Sequence, residues 1–222
     1  MLDVAVDPGV TAQMTTTGAT RLYRHRPGAA DSSQCATFTV ADGAQLEYLP
    51  DPVIPYAGSR HEQRTEFWLG RGATLLWWET FAPGRLASGE RFAFDRLRVH
   101  TAVSAAGRAI LREDYVLEPE KKELAATARM LGYSHMASFC AVQEGRPPGF
   151  WQALEGRLNE IARSRTTLGQ AVWGASALVS DGILVRGLAV SGRWLGGSLV
   201  EFWKAARVAI TGADAAPPRK TY

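Results

Sequence analysis

Between Leu2 and about Leu117 the chain alternates apolar and polar residues with period two, and turn residues interrupt the alternation. Successive strand side chains point to opposite faces, so this pattern predicts half-buried sheet and excludes a long amphipathic helix there. In ATFTVADGAQLEYLP, Phe38 and Val40 precede Asp42-Gly43 while Leu46 and Tyr48 follow it, which predicts a hairpin. RTEFWLGRGATLLWWETF repeats the arrangement: Thr65, Phe67 and Leu69 share a face, Gly70 to Gly72 turn, and Thr74, Leu76 and Trp78 share a face of the return strand. A third hairpin is predicted where Leu97, Val99, Thr101 and Val103 alternate with Arg96, Arg98 and His100, and Leu111, Glu113, Tyr115 and Leu117 return after Ala106-Gly107. Antiparallel pairing is the expectation for this whole part.

Helical spacing comes later. PPGFWQALEGRLNEIARSR opens on prolines, which suit a first turn, and puts Trp151, Leu154, Leu158 and Ile161 on one stripe. GGSLVEFWKAARVAI predicts a second helix with Leu199, Phe202, Trp203 and Ala206 inside. Two apolar strands are expected around Ser180-Asp181-Gly182, and residues 118–132 are read as a loop in spite of helix-forming residues. The fold class is therefore mainly β: stacked antiparallel or mixed sheets, elongated and β-helix-like, with about two helices in the C-terminal half. Residues 1–222 read as one domain, with a β-rich part over 1–117 and strands, two helices and a tail over 118–222.

With 46% hydrophobic and 21% charged residues over 222 positions, a sizeable core is available. The net charge of +3, from 25 basic and 22 acidic side chains, argues against nucleic acid and anionic membrane as partners. Cys35 and Cys140 form no CxxC pair and are read as free thiols. MLDVAVDPGVTAQMTTTG lacks the basic start and apolar core of a signal peptide, and no run reaches the roughly 20 apolar residues of a membrane helix, so a cytoplasmic location is expected.

Catalytic constellations are missing from the sequence: it has no GxSxG, GxxxxGKS, HExxH or GxGxxG motif, and His25, His61, His100 and His135 match no metal-ligand spacing. What remains is a series of acids near strand ends and turns, Glu47, Asp51, Glu79, Glu90, Glu113 and Asp114, able to meet in one polar cavity or to lie solvated on an outer face. Oxygen ligands of this kind hold divalent metals weakly. Trp77 and Trp78 must face opposite sides of their strand, so one of them meets a second layer, a partner or solvent. In LPDPVIPY, Pro50, Pro52 and Pro55 exclude a centrally paired strand and predict a stiff edge or crossover segment.

Four stretches in order resemble the urease accessory protein UreD family, called UreH in some bacteria: TTTGATRLYR, GAQLEYLPDPVIPYAGS, APGRLASGERFAF and APPRKTY. The resemblance implies a β-rich protein that is no enzyme and has no cofactor of its own. It implies binding to apo-urease and, with the accessory protein UreF and the GTPase UreG, support for nickel insertion, nickel crossing transiently through a polar interior. Conduit candidates are then Glu47, Glu79, Glu90 and Glu113, with Arg60 and Arg85 orienting them. Trp78, Trp203, Arg219 and Tyr222 are candidates for partner or structural contacts, docking being expected through the C-terminal helices and tail. Family members usually carry several dozen further residues ahead of the strand at Leu2, so the chain is expected to be short at its N-terminus. Two other classes stand beside this reading, a hydrolase or lyase using a carboxylate pair and a β-rich interaction module unrelated to urease.

Overall fold

The computed structural model describes residues 1–126 and 129–218. In chain order the strands are β1 (Leu2–Val6), β2 (Thr11–Met14), β3 (Thr20–Leu22), β4 (Ser32–Val40), β5 (Gln45–Tyr48), β6 (Val53–Pro55), β7 (Arg60–Leu69), β8 (Thr74–Phe81), β9 (Arg96–Ala105), β10 (Arg108–Leu117) and β11 (His135–Gln143). Helix α1 (Pro148–Arg165), strands β12 (Ala171–Ala177) and β13 (Gly182–Ala189) and helix α2 (Arg193–Thr211) complete the chain. One sheet has the order β1-β4-β7-β9-β10, the other β12-β13-β11-β8-β5-β2, with β3 and β6 attached beside β8.

The alternation is real, but two of the three expected hairpins are not hairpins. β4 lies in the first sheet and pairs with β1 and β7 in parallel, whereas β5 lies in the second and pairs with β2 and β8 in parallel. β7 and β8 are divided between the sheets in the same way. Asp42-Gly43 and Gly70 to Gly72 therefore carry the chain round a corner from one layer to the other. The corners stack, Gly70 N donating to Val40 O at 2.8 Å and Gly43 N to Arg71 O at 2.9 Å. Period-two alternation is identical in a hairpin and in a corner, because β4 and β7 turn one face to the core in either case; β5 and β8, in the middle layer, are covered on both faces. What differs is where the buried faces meet: Phe38 and Tyr48 approach across the interlayer space, ring centroids 4.7 Å apart. Only β9 and β10 form the antiparallel hairpin expected of this part, and β12 and β13 form another beyond it.

β11 occupies the middle of the second sheet between β8 and β13. Its run HMASFCAVQ is mostly buried on both sides, which removes the alternation that would mark it as a strand. The second sheet is the middle layer, the first sheet packing on one face and α1 and α2 on the other. Trp151, Leu154 and Leu158 of α1 and Leu199, Phe202, Trp203 and Ala206 of α2 join Leu76, Trp78 and Phe139 in the helix-side core. On α1 the stripe continues through Ala162, with Ile161 half-buried at its margin. Trp77 and Trp78 both end up covered by their own chain, Trp77 between the sheets and Trp78 under the helices.

β12 is an edge strand without Pro or charge, a template for unwanted pairing. Its outer backbone groups are occupied from within the chain: the Asn159 side chain of α1 accepts from Ala175 N at 3.0 Å and donates to Ala175 O at 2.9 Å. Trp173 N donates to Thr166 Oγ1, and Ala171 pairs with Thr167.

Candidate functional site

The core between the sheets is not uniformly apolar. Val6, Phe38, Phe67 and Trp77 belong to one apolar cluster and Leu22, Phe81, Leu97 and Val99 to another. Inward-facing Gln63 and Thr65 on β7, Glu79 on β8 and Thr101 on β9 are also buried. Glu79, 7% exposed, accepts a hydrogen bond from Gln63 Nε2. Burial pushes its carboxyl up to about 8; the nearby Glu113 charge adds to the rise and the Gln63 bond opposes it. Tyr48 and Tyr115 are raised above the ordinary phenol range, first by burial and then by the Glu79 charge. At neutral pH Glu79 is thus a largely protonated carboxylic acid, which becomes an oxygen ligand on giving up its proton.

Glu113, on β10, forms an ion pair with Arg186 of β13. Both line a cleft of about 750 Å³, shared with Tyr115, Met130, Met136 and Ser138. At the opposite side of the sheets another cleft, of about 650 Å³, is lined by Arg21, Tyr23, Arg24, Ser32 and His61. His61 is 4% exposed, and burial lowers its pKa below the ordinary imidazole value, Glu62 opposing. Ser32 Oγ donates its one proton to Arg60 O at 2.9 Å and lies 2.9 Å from His61 Nδ1, so Nδ1 carries the ring proton. Nε2 is left as a buried acceptor without a hydrogen-bond partner.

The four acids singled out from sequence do not converge. Glu79 and Glu113 interact between the sheets, but Glu47 faces the helices. Its carboxylate, 1% exposed, accepts from Gln13, Gln45, Trp203 Nε1 at 2.9 Å and Arg207 Nε at 2.8 Å. Glu90 lies in the loop after β8, where Arg85 grips its carboxylate and Ala57 N donates to Oε2 at 3.1 Å. The Arg85 bond, chiefly, holds the Glu90 carboxyl down at about 2. Arg85 is thus paired with one of the four acids. Arg60 does not orient any of the four: its side chain points outward and pairs with Asp95 at 2.9 Å. Trp203 is fully buried and serves the core, while Trp78, 7% exposed, donates from Nε1 to Pro50 O at 2.8 Å. Arg219 and Tyr222 lie outside the described residues. Among the described residues, no group of three or more His, Cys, Asp or Glu side chains is placed to hold a metal ion.

The stiff LPDPVIPY segment is not a crossover: it carries the chain from β5 to β6 along the same neighbour, β8, within the second sheet. Only Val53–Pro55 pair, in parallel with β3, plus one contact of Val53 with Phe81 of β8. Pro52 and Ile54 form a wall of an apolar groove of about 670 Å³ together with Trp78, Leu195, Leu199 and Pro218. The sequence offered no signal for Arg186, Gln63 or Arg207 as partners of the acids, since each comes from an element remote in the chain.

The family model of the UreD urease accessory protein matches residues 1–222. This chain belongs to the UreD urease accessory protein family. It is 39% identical over 211 residues to the urease accessory protein UreD of Herpetosiphon aurantiacus, covering 95% of this chain and 73% of that protein. The UreD of an Anaeromyxobacter species is 35% identical over 185 residues, covering 83% of this chain and 60% of that protein. That of Pseudomonas fluorescens is 30% identical over 221 residues, covering 98% and 74%. These UreD relatives are named as accessory proteins, and the family match spans both sheets and both helices of this chain. Among the described residues of this UreD-family chain, no helix is long and apolar enough to cross a membrane.

Proposed function

We propose that this UreD-family chain is a non-catalytic scaffold for urease maturation, which binds apo-urease and, with UreF and UreG, supports insertion of nickel into the urease active site in the cytoplasm. The family match carries the maturation role. Passage of nickel through the chain is supported by Glu79, a buried carboxyl poised near neutrality between two clefts at opposite edges of the sheets. A nickel ion travelling there would meet donors singly: the Glu113 carboxylate at the cleft, then Glu79, which exchanges its proton for the metal. Single oxygen contacts bind divalent ions weakly, which suits a cargo that must be released. Arg186 holds the Glu113 carboxylate in place by a charge-assisted bond. The gripped Glu90 and the fully engaged Glu47 are less available to an ion. Docking of partners is assigned to the C-terminal helices and tail, where the apolar groove lies.

The test has two parts. Deleting the gene in its host and assaying urease with excess nickel is expected to give inactive urease, and wild-type activity in the deletant would sink the maturation role. Glu79→Gln and Glu113→Gln are expected to lower the nickel content of urease while the accessory complex still assembles. Normal nickel loading in both variants would remove these acids from the path.

A further inference from the structure

Three of the stretches that carry the family resemblance are far apart in sequence and meet at one end of the molecule. Tyr56 N donates to Leu22 O at 2.9 Å, and His25 N donates to Gly58 O at 2.8 Å, which joins the first stretch to the second. Gly58 N donates to Ala93 O at 2.8 Å and Ala57 N to Glu90 Oε2 at 3.1 Å, which joins the second to the third. Packing alone does not account for the side chains they display. Tyr23 is 66% exposed, and its ring stands edge-on to Tyr56 with centroids 5.3 Å apart. The Arg85 guanidinium lies 4.3 Å from the Tyr56 ring centre while Glu90 holds its nitrogens.

Beside this aromatic and arginine cluster opens the cleft of about 650 Å³ that Arg21, Arg24 and Arg26 line. Arg60, Arg85 and Arg96 have carboxylate partners in Asp95, Glu90 and Asp31. Arg21, Arg24 and Arg26 have no ion-pair partner among the described residues.

We propose that this surface docks a carboxylate-rich, extended segment of a protein partner, an inference that rests on reading the chain as an assembly scaffold. Guanidinium groups match carboxylates with two parallel bonds, and three of them here lack a carboxylate. Tyr and Arg are the residues that dominate protein interfaces. Arg85 is already ordered by Glu90 and Tyr56, so little side-chain freedom is lost on binding. A nucleic acid fits less well, because the chain carries a net charge of only +3 and the cluster lies among paired acids.

The experiment measures fluorescence anisotropy of the full chain with three probes: a labelled Glu-rich peptide, a Lys-rich peptide and an oligothymidylate. The Glu-rich peptide is expected to bind, and the double variant Arg21→Glu, Arg26→Glu to weaken it at least about tenfold with a smaller salt dependence. Tyr23→Ala is expected to weaken it at unchanged salt dependence. Unaltered thermal unfolding of these surface variants shows that the loss is local. Absence of Glu-peptide binding, equal binding by the variants, or tighter binding of the oligothymidylate overturns the proposal. Because this assay contains no urease, inactive urease in the deletant combined with no peptide binding overturns the surface and leaves the maturation role standing.

Discussion

Trp203 and Glu47 meet across 156 positions of sequence, the indole Nε1 donating to Oε2 at 2.9 Å in a buried setting. Arg207, one turn further along α2, donates to the other oxygen at 2.8 Å. Together they tie the last helix to β5, near the edge of the middle sheet. A buried carboxylate whose oxygens are filled by four donors is a fastening, and removal of either side leaves charge or a donor stranded.

Glu47→Leu is therefore expected to cost about 3–5 kcal/mol, measured by urea unfolding, because Arg207 and Trp203 lose their acceptor together. Glu47→Gln keeps the shape and one acceptor and is expected to cost less. A Glu47→Leu protein as stable as the parent would show that α2 is held by its apolar face alone.

Glu79 makes stability depend on pH with a definite sign. Its folded pKa, about 8, lies above the ordinary carboxylate value of 4.5. The folded state thus binds the proton more tightly, and stability is greatest below the unfolded pKa. It falls as pH rises between these two values and levels off above about 8. Glu79→Gln removes this dependence, so the difference in melting temperature between pH 5 and pH 8 is expected to shrink in the variant. An unchanged difference would place the proton elsewhere.

Asn159 is expected to matter for solubility as well as stability. Asn159→Leu leaves the N–H and C=O of Ala175 without their cap, at about 1–3 kcal/mol, and opens an uncharged edge strand. Size-exclusion chromatography is expected to show larger species at concentrations where the parent is unaffected.

Gly187 has a steric role. A Cβ added there would come closer than 3.0 Å to the Trp173 ring, which itself packs on Phe202 at a centroid distance of 5.1 Å. Gly187→Ala is expected to cost about 1–3 kcal/mol by overpacking, read from the unfolding midpoint. Gly174→Ala on the neighbouring strand, where an added Cβ meets nothing within 4 Å, is the control and is expected to cost less.

The two thiols should separate by reactivity. Burial raises the Cys140 thiol to about 12, with the Glu113 charge adding, whereas Cys35 is only partly buried. Ellman's reagent is expected to label one thiol per native chain and the second only on unfolding. Two fast-reacting thiols in the native protein would contradict the burial of Cys140.

Strands β4, β7, β9 and β10 were legible because one face of each is wet, and both helices because their apolar stripes face one sheet. β11 was not legible, since a strand covered on both sides loses its alternation. Glu79 could be named from sequence, but its elevated pKa could not, because that comes from Gln63, Glu113 and burial between layers. The sequence alone determined the alternating strands, both helices, their buried faces and the family, all of which depend on neighbours within a few residues or on short ordered motifs. Only the tertiary structure decided that Asp42-Gly43 turns a corner, that Glu47 fastens α2, and that Tyr23, Tyr56 and Arg85 meet. Period-two alternation says which side of a strand is buried and carries no information about which strand lies beside it; partner choice is set by contacts between residues far apart in the chain.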